Sequence, residues 1–259
     1  MNRRTFLAAS AAAAVTGLLA SRAKAQTPSP NAKLCHACIG VGGMGWNDLS
    51  NFKSHLRTQI VAICDVDKNR LAKAAAGLPG VRTYTDWREL LAKEGDKIDS
   101  VNVSVPDHMH AAIAMSAIRA KKNVYCQKPM CHDVAECRAL SNAVKGSSLV
   151  TQLGTQYCAL VGDRMAVHYL RNRALGEVKR IILFSTRKTV SRLEGPRPAQ
   201  GAPAPDYLDW DLWLGTAPAR DYAPEIYHPT KWRAWQDFGT GLMGDNQSHL
   251  FDSSWKGLG

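Results

Sequence analysis

Hydrophobic positions from residue 33 onward alternate between short runs suited to strands and longer stretches with helical spacing. Repeated βα units of this kind are typical of a parallel sheet with helices on both faces. The pattern predicts strands at residues 33–39, 59–64, 82–84, 100–104, 123–126 and 149–152, and helices at residues 44–56, 68–76, 86–93, 109–119 and 134–144. We therefore expect an α/β fold in which residues 33–154 form a Rossmann-type, doubly wound parallel sheet.

Residues 155–259 follow a different rhythm and are expected to form an incomplete α+β domain with a predominantly antiparallel sheet, for substrate binding and oligomerisation. A helix is predicted over residues 163–173 and an extended apolar stretch over residues 178–186. Four prolines and two glycines between residues 194 and 206 indicate an irregular surface segment or lid. We interpret the aromatic-rich stretch 207–235 as packing between domains, with a carbohydrate-stacking platform as the alternative.

The N-terminus has the features of an export signal. Residues 1–25 combine the pair Arg3 and Arg4 with an apolar stretch at 6–20 and a small-residue cleavage site. The paired arginines resemble the twin-arginine signal, whose pathway carries folded proteins. The apolar stretch is shorter than the roughly 20 residues of a spanning helix, so we expect no stable membrane insertion after cleavage. Residues 26–32 are then a linker, and the protein is expected in the periplasm or outside the cell.

Charge and cysteine content narrow the possible classes of protein. The formal net charge is +11, but no basic run is interleaved with aromatic residues, so we expect a solvated basic surface and no nucleic-acid partner. Seven cysteines cannot form a complete disulfide framework. Cys35 and Cys38 lie on a predicted strand, where positions three apart point to opposite faces. We expect inert thiols and no metal site.

The strongest local signal is a G-x-G-x-x-G motif at residues 40–45, between the first predicted strand and the first helix. Glycines there allow a tight turn, a close approach of the backbone to a pyrophosphate, and close packing of helix on strand. The phosphates would lie at the positive end of the helix. The candidate cofactor contacts in this motif are Gly40, Gly42, Gly43, Met44 and Gly45.

An acid at the end of the second strand completes the dinucleotide-binding pattern. Asp65 occupies that position, where its carboxylate would accept hydrogen bonds from the adenosine ribose. The same charge would repel a 2′-phosphate, so NAD is expected, with NADP possible because Lys68 and Arg70 are near. Asp67 is predicted to cap the second helix.

Two further turns follow the carboxyl ends of predicted strands, where open α/β sheets bind ligands. The first contains Asp107, expected to cap the fourth helix, together with His108 and His110, for which no carboxylate cluster suggests a metal. The second contains Lys128 before Pro129, and the proline favours an extended backbone at the lysine. Spacing alone leaves Lys128 equally consistent with a surface lysine.

The chain resembles the Gfo/Idh/MocA oxidoreductases, the family of glucose-fructose oxidoreductase and inositol 2-dehydrogenase, from residue 33 onward. The resemblance rests on the glycine motif, the Cys-Asp pair at 64–65, the turn at 104–110, the Gln-Lys-Pro turn at 127–129, and the tryptophan-rich stretches at 208–215 and 232–241. It implies that Lys128 contacts substrate and nicotinamide, and that Pro106 and His110 line the cofactor. It also implies that Asp245 and His249 are a catalytic pair, and that the full-length family forms homo-oligomers.

The spacing of Asp245 and His249 agrees with this implication, because residues four apart share one helical face. On spacing alone, a helix cap and a structural histidine would be the simpler interpretation. Two departures from the family stand out: Gln127 replaces the usual glutamate, and the chain ends soon after His249, as a truncated member would.

We expect an NAD(P)-dependent oxidoreductase that acts on a secondary alcohol of a sugar, cyclitol or related polyol. His249 would be the base, because an unperturbed histidine titrates near neutrality. Lys128 would hold the reacting oxygen and Asp245 would orient the site. The alternatives are an NAD-dependent glycosidase on the same scaffold and a truncated dinucleotide-binding protein without turnover.

Overall fold

Six parallel strands form the sheet, in the order β3-β2-β1-β4-β5-β6. The strands are β1 (Leu34–Ile39), β2 (Thr58–Cys64), β3 (Arg82–Tyr84), β4 (Ser100–Val103), β5 (Asn123–Gln127) and β6 (Thr151–Gly154). The predicted strands are therefore all present, and the Rossmann-type α/β class is confirmed. Because the strand order reverses between β1 and β4, the carboxyl ends of these two strands open the crevice in which such sheets bind ligands.

The computed structural model describes residues 33–184, 198 and 201–259. The predicted export signal and linker, and residues 194–197, 199 and 200 of the proline-rich segment, lie outside the described residues. None of the helices in the described ranges has the length and apolar character needed to cross a membrane.

Five helices connect the strands: α1 (Met44–Ser54), α2 (Lys68–Ala76), α3 (Trp87–Glu94), α4 (Asp107–Arg119) and α5 (Val134–Val144). The predicted cap of α2 is present, since the Asp67 carboxylate accepts the backbone N–H groups of Asn69 and Arg70. The predicted cap of α4 is wrong. Asp107 is the first residue of that helix and makes no capping bond, because its carboxylate is engaged by Thr240 instead.

The core lies on the two faces of the sheet. One cluster packs α4 and α5 against the central strands and includes Val101, Val103 and Ile113, each at most 1% exposed. A smaller cluster on the other face packs Leu49 and Leu71 against β1 and β2. The inward side chains of the strands are therefore covered on both sides, as a parallel sheet requires.

Beyond β6 the regular structure of the described residues is helical, with α6 (Val161–Arg171), α7 (Trp210–Leu214) and α8 (Gly241–Leu258). In this part, β pairing is limited to isolated antiparallel bridges, Asp67 with Leu208 and Ala202 with Tyr222. Aromatic residues between α7 and α8 form a buried cluster around Phe238, which is fully buried. Their burial favours the packing interpretation of this stretch over an exposed sugar platform.

Candidate active site

The loop from β1 to α1 depends sterically on its glycines. Gly40 has φ +83°, and a Cβ atom there would lie 2.3 Å from the carbonyl oxygen of Ser104. A Cβ atom on Gly45 would lie 2.1 Å from the carbonyl oxygen of Gly40. Gly43, with φ +57°, precedes the first residue of α1. The loop therefore brings bare backbone to the helix N-terminus, which is the arrangement that accepts a phosphate.

Asp65 ties the end of β2 to this loop. Its carboxylate accepts the N–H of Val41 at 2.9 Å and the N–H of Asp67 at 3.0 Å. Burial raises the pKa of Asp65, and the backbone hydrogen bonds oppose that shift. Both carboxylate oxygens keep lone pairs beyond these two bonds, so the group retains acceptor capacity for a ligand hydroxyl.

Arg70 covers the outer side of the same loop. A Cβ atom on Gly42 would lie 2.3 to 2.8 Å from the Arg70 side chain. The Arg70 guanidinium pairs with Asp67 at 3.4 Å, and His228 contacts the same carboxylate at 2.9 Å. Gly42 is thus needed here to make room for a cation at the glycine loop, a role that the motif alone did not indicate.

A cleft of about 360 Å³ runs from the glycine loop to Lys128 and is closed by residues after β6. Its lining includes the predicted residues Gly40, Gly42, Gly43, Met44, Asp65, Pro106, Lys128 and Asp245. The elements that supply them converge at the carboxyl ends of β1, β2, β4 and β5. The structure therefore brings most of the predicted site together.

Lys128 and Asp245 form an ion pair at one end of the cleft. The Lys128 Nζ lies 2.5 Å from Asp245 Oδ1 and donates to the Asp245 carbonyl oxygen at 2.8 Å. Side-chain exposure is only 11% for the lysine and 19% for the aspartate. Arg233 approaches the other carboxylate oxygen at 4.0 Å. A shielded ammonium group beside a carboxylate can hold an oxygen substituent and move a proton from it.

Asp107 and Thr240 fix the segment that carries Asp245. The Asp107 carboxylate accepts the Thr240 hydroxyl at 2.9 Å and the Thr240 N–H at 3.1 Å. Burial raises the pKa of Asp107, while nearby His110 and these hydrogen bonds lower it. Thr240 directly precedes α8, so this contact sets where the helix bearing Asp245 begins.

Three predicted residues, Gly45, His110 and His249, lie outside the cleft lining. His110 is 1% exposed, and its ring nitrogens lie 2.6 Å from the carbonyl oxygen of Pro129 and 2.9 Å from that of Val105. Burial would lower the pKa of His110, but the Cys126 thiol, Asp107 and the Pro129 carbonyl raise it to about 9. His110 thus supports both turns from beneath and is not placed against the cleft.

His249 is on α8, one turn after Asp245, and stacks on Tyr157 with ring centroids 4.2 Å apart. The shared helical face that the spacing predicts therefore exists, yet only Asp245 of the two is among the cleft-lining residues. The assignment of His249 as the base stays a prediction.

Several residues that border the cleft were not predicted from the sequence. They include Asn47, Trp87, Trp213, Thr230, Trp232 and Arg233. Arg233 stacks on Trp232, with the guanidinium carbon 4.3 Å from the ring centroid. Trp232 and Arg233 belong to a stretch that the family resemblance already singled out, so that resemblance was the available signal.

Comparison with known proteins decides the family. The oxidoreductase family with the NAD-binding Rossmann fold matches residues 35–155, and the C-terminal α/β domain of the same family matches residues 192–255. Together these matches span well over half of the chain. The chain belongs to the Gfo/Idh/MocA oxidoreductase family. NAD as the expected cofactor is thereby confirmed for the Rossmann domain.

Three relatives illustrate the relationship. A levoglucosan dehydrogenase of Pseudarthrobacter phenanthrenivorans is 25% identical over 191 residues, which are 73% of this chain and 40% of that protein. A glycosyl hydrolase family 109 protein of Stenotrophomonas maltophilia is 34% identical over 49% of this chain and 29% of its own length. The structure of myo-inositol 2-dehydrogenase from Lactobacillus plantarum has 26% identity and a TM-score of 0.52, covering 56% of this chain and 43% of that chain.

The chain therefore spans about two fifths of the length of the curated dehydrogenase that it matches. The match to the Rossmann domain, residues 35–155, includes nearly all of the six-stranded sheet together with the glycine loop, Asp65 and Lys128.

Proposed function

We propose that this protein is an NAD-dependent oxidoreductase that transfers a hydride between a secondary alcohol of a sugar or cyclitol and the nicotinamide cofactor. The observation that carries the proposal is the shielded Lys128–Asp245 pair in the same cleft as the glycine loop. The levoglucosan dehydrogenase and the inositol dehydrogenase among the relatives support a polyhydroxylated substrate.

The residues of the cleft fit a dinucleotide. The bare turn at Gly40 and Gly45 leaves no room for a side chain, and Asp65 retains acceptor capacity beside it. In our proposal the turn holds the pyrophosphate, Asp65 holds the adenosine ribose, and Pro106 borders the ring that reacts. NAD, when bound, supplies the hydride acceptor, which no protein side chain can provide.

Lys128 is assigned to hold the substrate oxygen and to stabilise the negative charge that develops on it. Its partner Asp245 orients the ammonium group and accepts a hydrogen bond from a substrate hydroxyl. His249 is retained as the candidate base, since hydrogen bonds in a ligand-free site often tighten only when substrate binds.

Binding and turnover test the proposal separately. Calorimetry of the purified chain should show NAD binding, and a panel of levoglucosan, inositols and aldoses should include a substrate that forms NADH. Lys128→Met should lower kcat/KM roughly 100-fold, because one preorganised charge in a desolvated site is worth about that much. Lys122→Met is the matched control, since Lys122 bonds the Ile98 carbonyl oxygen away from the cleft.

His249→Ala should abolish NADH formation while leaving NAD binding intact. Turnover at the wild-type rate would remove His249 from the mechanism, and loss of NAD binding in this variant would show a structural role instead. If the wild-type chain bound no NAD, the proposed function itself would be wrong.

An NAD-dependent glycosidase is the second candidate, supported by the 34% identity to the glycosyl hydrolase family 109 protein. Such a reaction regenerates the cofactor, so a chromogenic glycoside would be split without net NADH. NAD binding with neither reaction across the panel would support a dinucleotide-binding protein without turnover.

We also propose export by the twin-arginine pathway, on the basis of the paired arginines and the apolar stretch that follows. Cell fractionation should find the wild-type chain in the periplasm, and an R3K/R4K variant should stay in the cytoplasm. Equal distribution of the two would contradict the proposal.

A further inference from the structure

A buried carboxylate lies beneath the turn that carries Lys128. Asp48, on α1, is 4% exposed. Its two carboxylate oxygens accept hydrogen bonds from Gln127 Nε2 at 3.1 and 2.9 Å. The Ser104 hydroxyl donates to one of these oxygens at 2.6 Å. Burial raises the pKa of Asp48, and the bonds from Ser104 and Gln127 oppose that shift. Gln127 is 3% exposed, so the pair is nearly closed to solvent.

Further side chains make the direction of hydrogen bonding unambiguous. The Asn102 amide donates to the Ser104 oxygen at 2.9 Å, which leaves the Ser104 proton for Asp48. His36 Nε2 lies 3.1 Å from the Asn102 side-chain oxygen and must donate to it. Burial lowers the pKa of His36 to about 4, so the ring is neutral. The donors from His36 through Asn102 and Ser104 thus all point towards the Asp48 carboxylate.

An amide at position 127 is therefore required by the chemistry of its neighbour. Gln127 donates through its nitrogen to Asp48 while its oxygen accepts the backbone N–H of Lys128 at 3.3 Å. A glutamate, the usual residue at this position in the Gfo/Idh/MocA family, has no proton to donate when ionised. It would face Asp48 as a second negative charge. Two carboxylates at this distance must share a proton.

We propose that Asp48 and Gln127 are positioning residues, whose carboxylate–amide pair holds the turn that presents Lys128 to the cleft. The inference rests on the proposed function, in which Lys128 contacts the cofactor and the substrate. It accounts for the departure at Gln127: the amide replaces the acid because Asp48 supplies the charge.

Two ionisable side chains of the described residues respond to the charge of Asp48, Cys38 on β1 and Tyr125 on β5. Burial, with the Asp48 charge, raises the pKa of the Cys38 thiol well above its usual range and that of Tyr125 to about 12. The side chains that approach from β4 and the residue after it, Asn102 and Ser104, are neutral. We therefore assign to the pair a titration between pH 6 and 9 that appears in Q127E and is absent from both wild type and D48N/Q127E.

The test compares wild type, Q127E and the exchanged pair D48N/Q127E, with NAD affinity measured by calorimetry from pH 6 to 9. At pH 6 the protonated carboxyl group introduced by Q127E can imitate the amide, so affinity should be near that of wild type. As pH rises through the apparent pKa of the pair, affinity of Q127E should fall roughly tenfold or more, because like charges then oppose each other beneath Lys128. D48N/Q127E restores one amide and one carboxylate, so its affinity should be near wild type and independent of pH.

The thermal midpoint provides a readout that does not need the cofactor. In Q127E a carboxyl pKa is raised in the folded state, so stability should be lost as pH rises, and the exchanged pair should remove this loss. E94Q is the matched control, because Glu94 is an equally buried acid, held by Arg82 and Tyr84 away from the cleft. It should lower the thermal midpoint without making NAD affinity depend on pH.

Outcomes against the inference are distinct from failure of the proposed function. Wild-type NAD affinity in Q127E at every pH, or a double variant no better than Q127E, would refute the positioning role while leaving NAD binding in place. A lower thermal midpoint without any change in NAD affinity would show that the pair has only a structural role, which would also refute the inference. If Q127E does not fold, recovery of folding and affinity in D48N/Q127E supports the inference, and no recovery overturns it. If wild type binds no NAD, the proposed function fails, and the inference about Lys128 fails with it.

Discussion

Gly40→Ala should damage the protein far more than another substitution with the same backbone strain. Gly40 and Gly80 both have positive φ, +83° and +76°, so alanine is strained at either position. They differ in surroundings: a Cβ atom on Gly80 would meet nothing within 4 Å, whereas one on Gly40 would lie 2.3 Å from the Ser104 carbonyl oxygen. Ordinary contact begins near 3.4 Å, so the end of β4 would have to move by about 1.1 Å.

These distances determine how far each substitution should lower the free energy of unfolding. The left-handed backbone costs about 1–2 kcal/mol at both positions. Overpacking against a fixed backbone adds roughly 1–3 kcal/mol at Gly40 alone. The free energy of unfolding should therefore fall by about 1–2 kcal/mol in Gly80→Ala and by about 2–5 kcal/mol in Gly40→Ala. For a chain of this size each kcal/mol lowers the thermal midpoint by roughly 2–4 °C.

Thermal unfolding followed by circular dichroism, with calorimetric NAD titration of the same samples, measures both effects. Gly80→Ala should keep wild-type affinity, whereas Gly40→Ala should lose at least about tenfold, since a shift of that size moves backbone donors out of hydrogen-bond range. Equal destabilisation of the two variants would show that the contact with Ser104 does not constrain the loop. Unchanged affinity in Gly40→Ala would refute the role assigned to the loop in holding the cofactor.

Three further substitutions test other parts of the site. Asp65→Ser should shift the ratio of NAD to NADP affinity towards NADP by at least about tenfold, because the carboxylate is removed while Arg70 remains nearby; an unchanged ratio would contradict this role of Asp65. The free energy of unfolding should fall as pH drops from 6.5 towards 4, since the folded chain holds His36 neutral and the unfolded chain protonates it; urea titrations should show a shallower fall in His36→Gln. His110→Ala should lower the thermal midpoint and weaken NAD binding together, because two turns lose their support; an effect on neither would leave His110 without the assigned function.

Local chemistry explains why the Rossmann half could be predicted from the sequence. Strand β2 is a short, largely apolar run that ends at a turn, and the cap at Asp67 is made to the backbone of its own helix. The glycine motif can be recognised within six residues, although the contacts that require Gly40 and Gly42 come from Ser104 and Arg70. Patterns of this range are visible in a single sequence.

The misplaced residues depend on partners far along the chain. Asp107 has the sequence position of a cap, but Thr240, 133 residues later, competes for its carboxylate. His110 was assigned to the cofactor, yet the carbonyl of Pro129 holds it below the turn. Nothing in the sequence pattern distinguishes Asp48, since a lone acid on a helix is usually solvated, and only the fold places Gln127 over it. Contacts between residues so far apart in sequence cannot be predicted from the spacing of residues within one segment.

The ion pair of Lys128 and Asp245 joins positions that are 117 residues apart. Closing so long a loop reduces the entropy of the chain, and the contact exists only while α8 keeps its place, where it packs mainly on α6. A molecule that binds both partners therefore also favours docking, and its affinity includes the free energy of that closure. Substitutions on the far side of α8 that loosen its packing should thus weaken binding without touching the bound molecule.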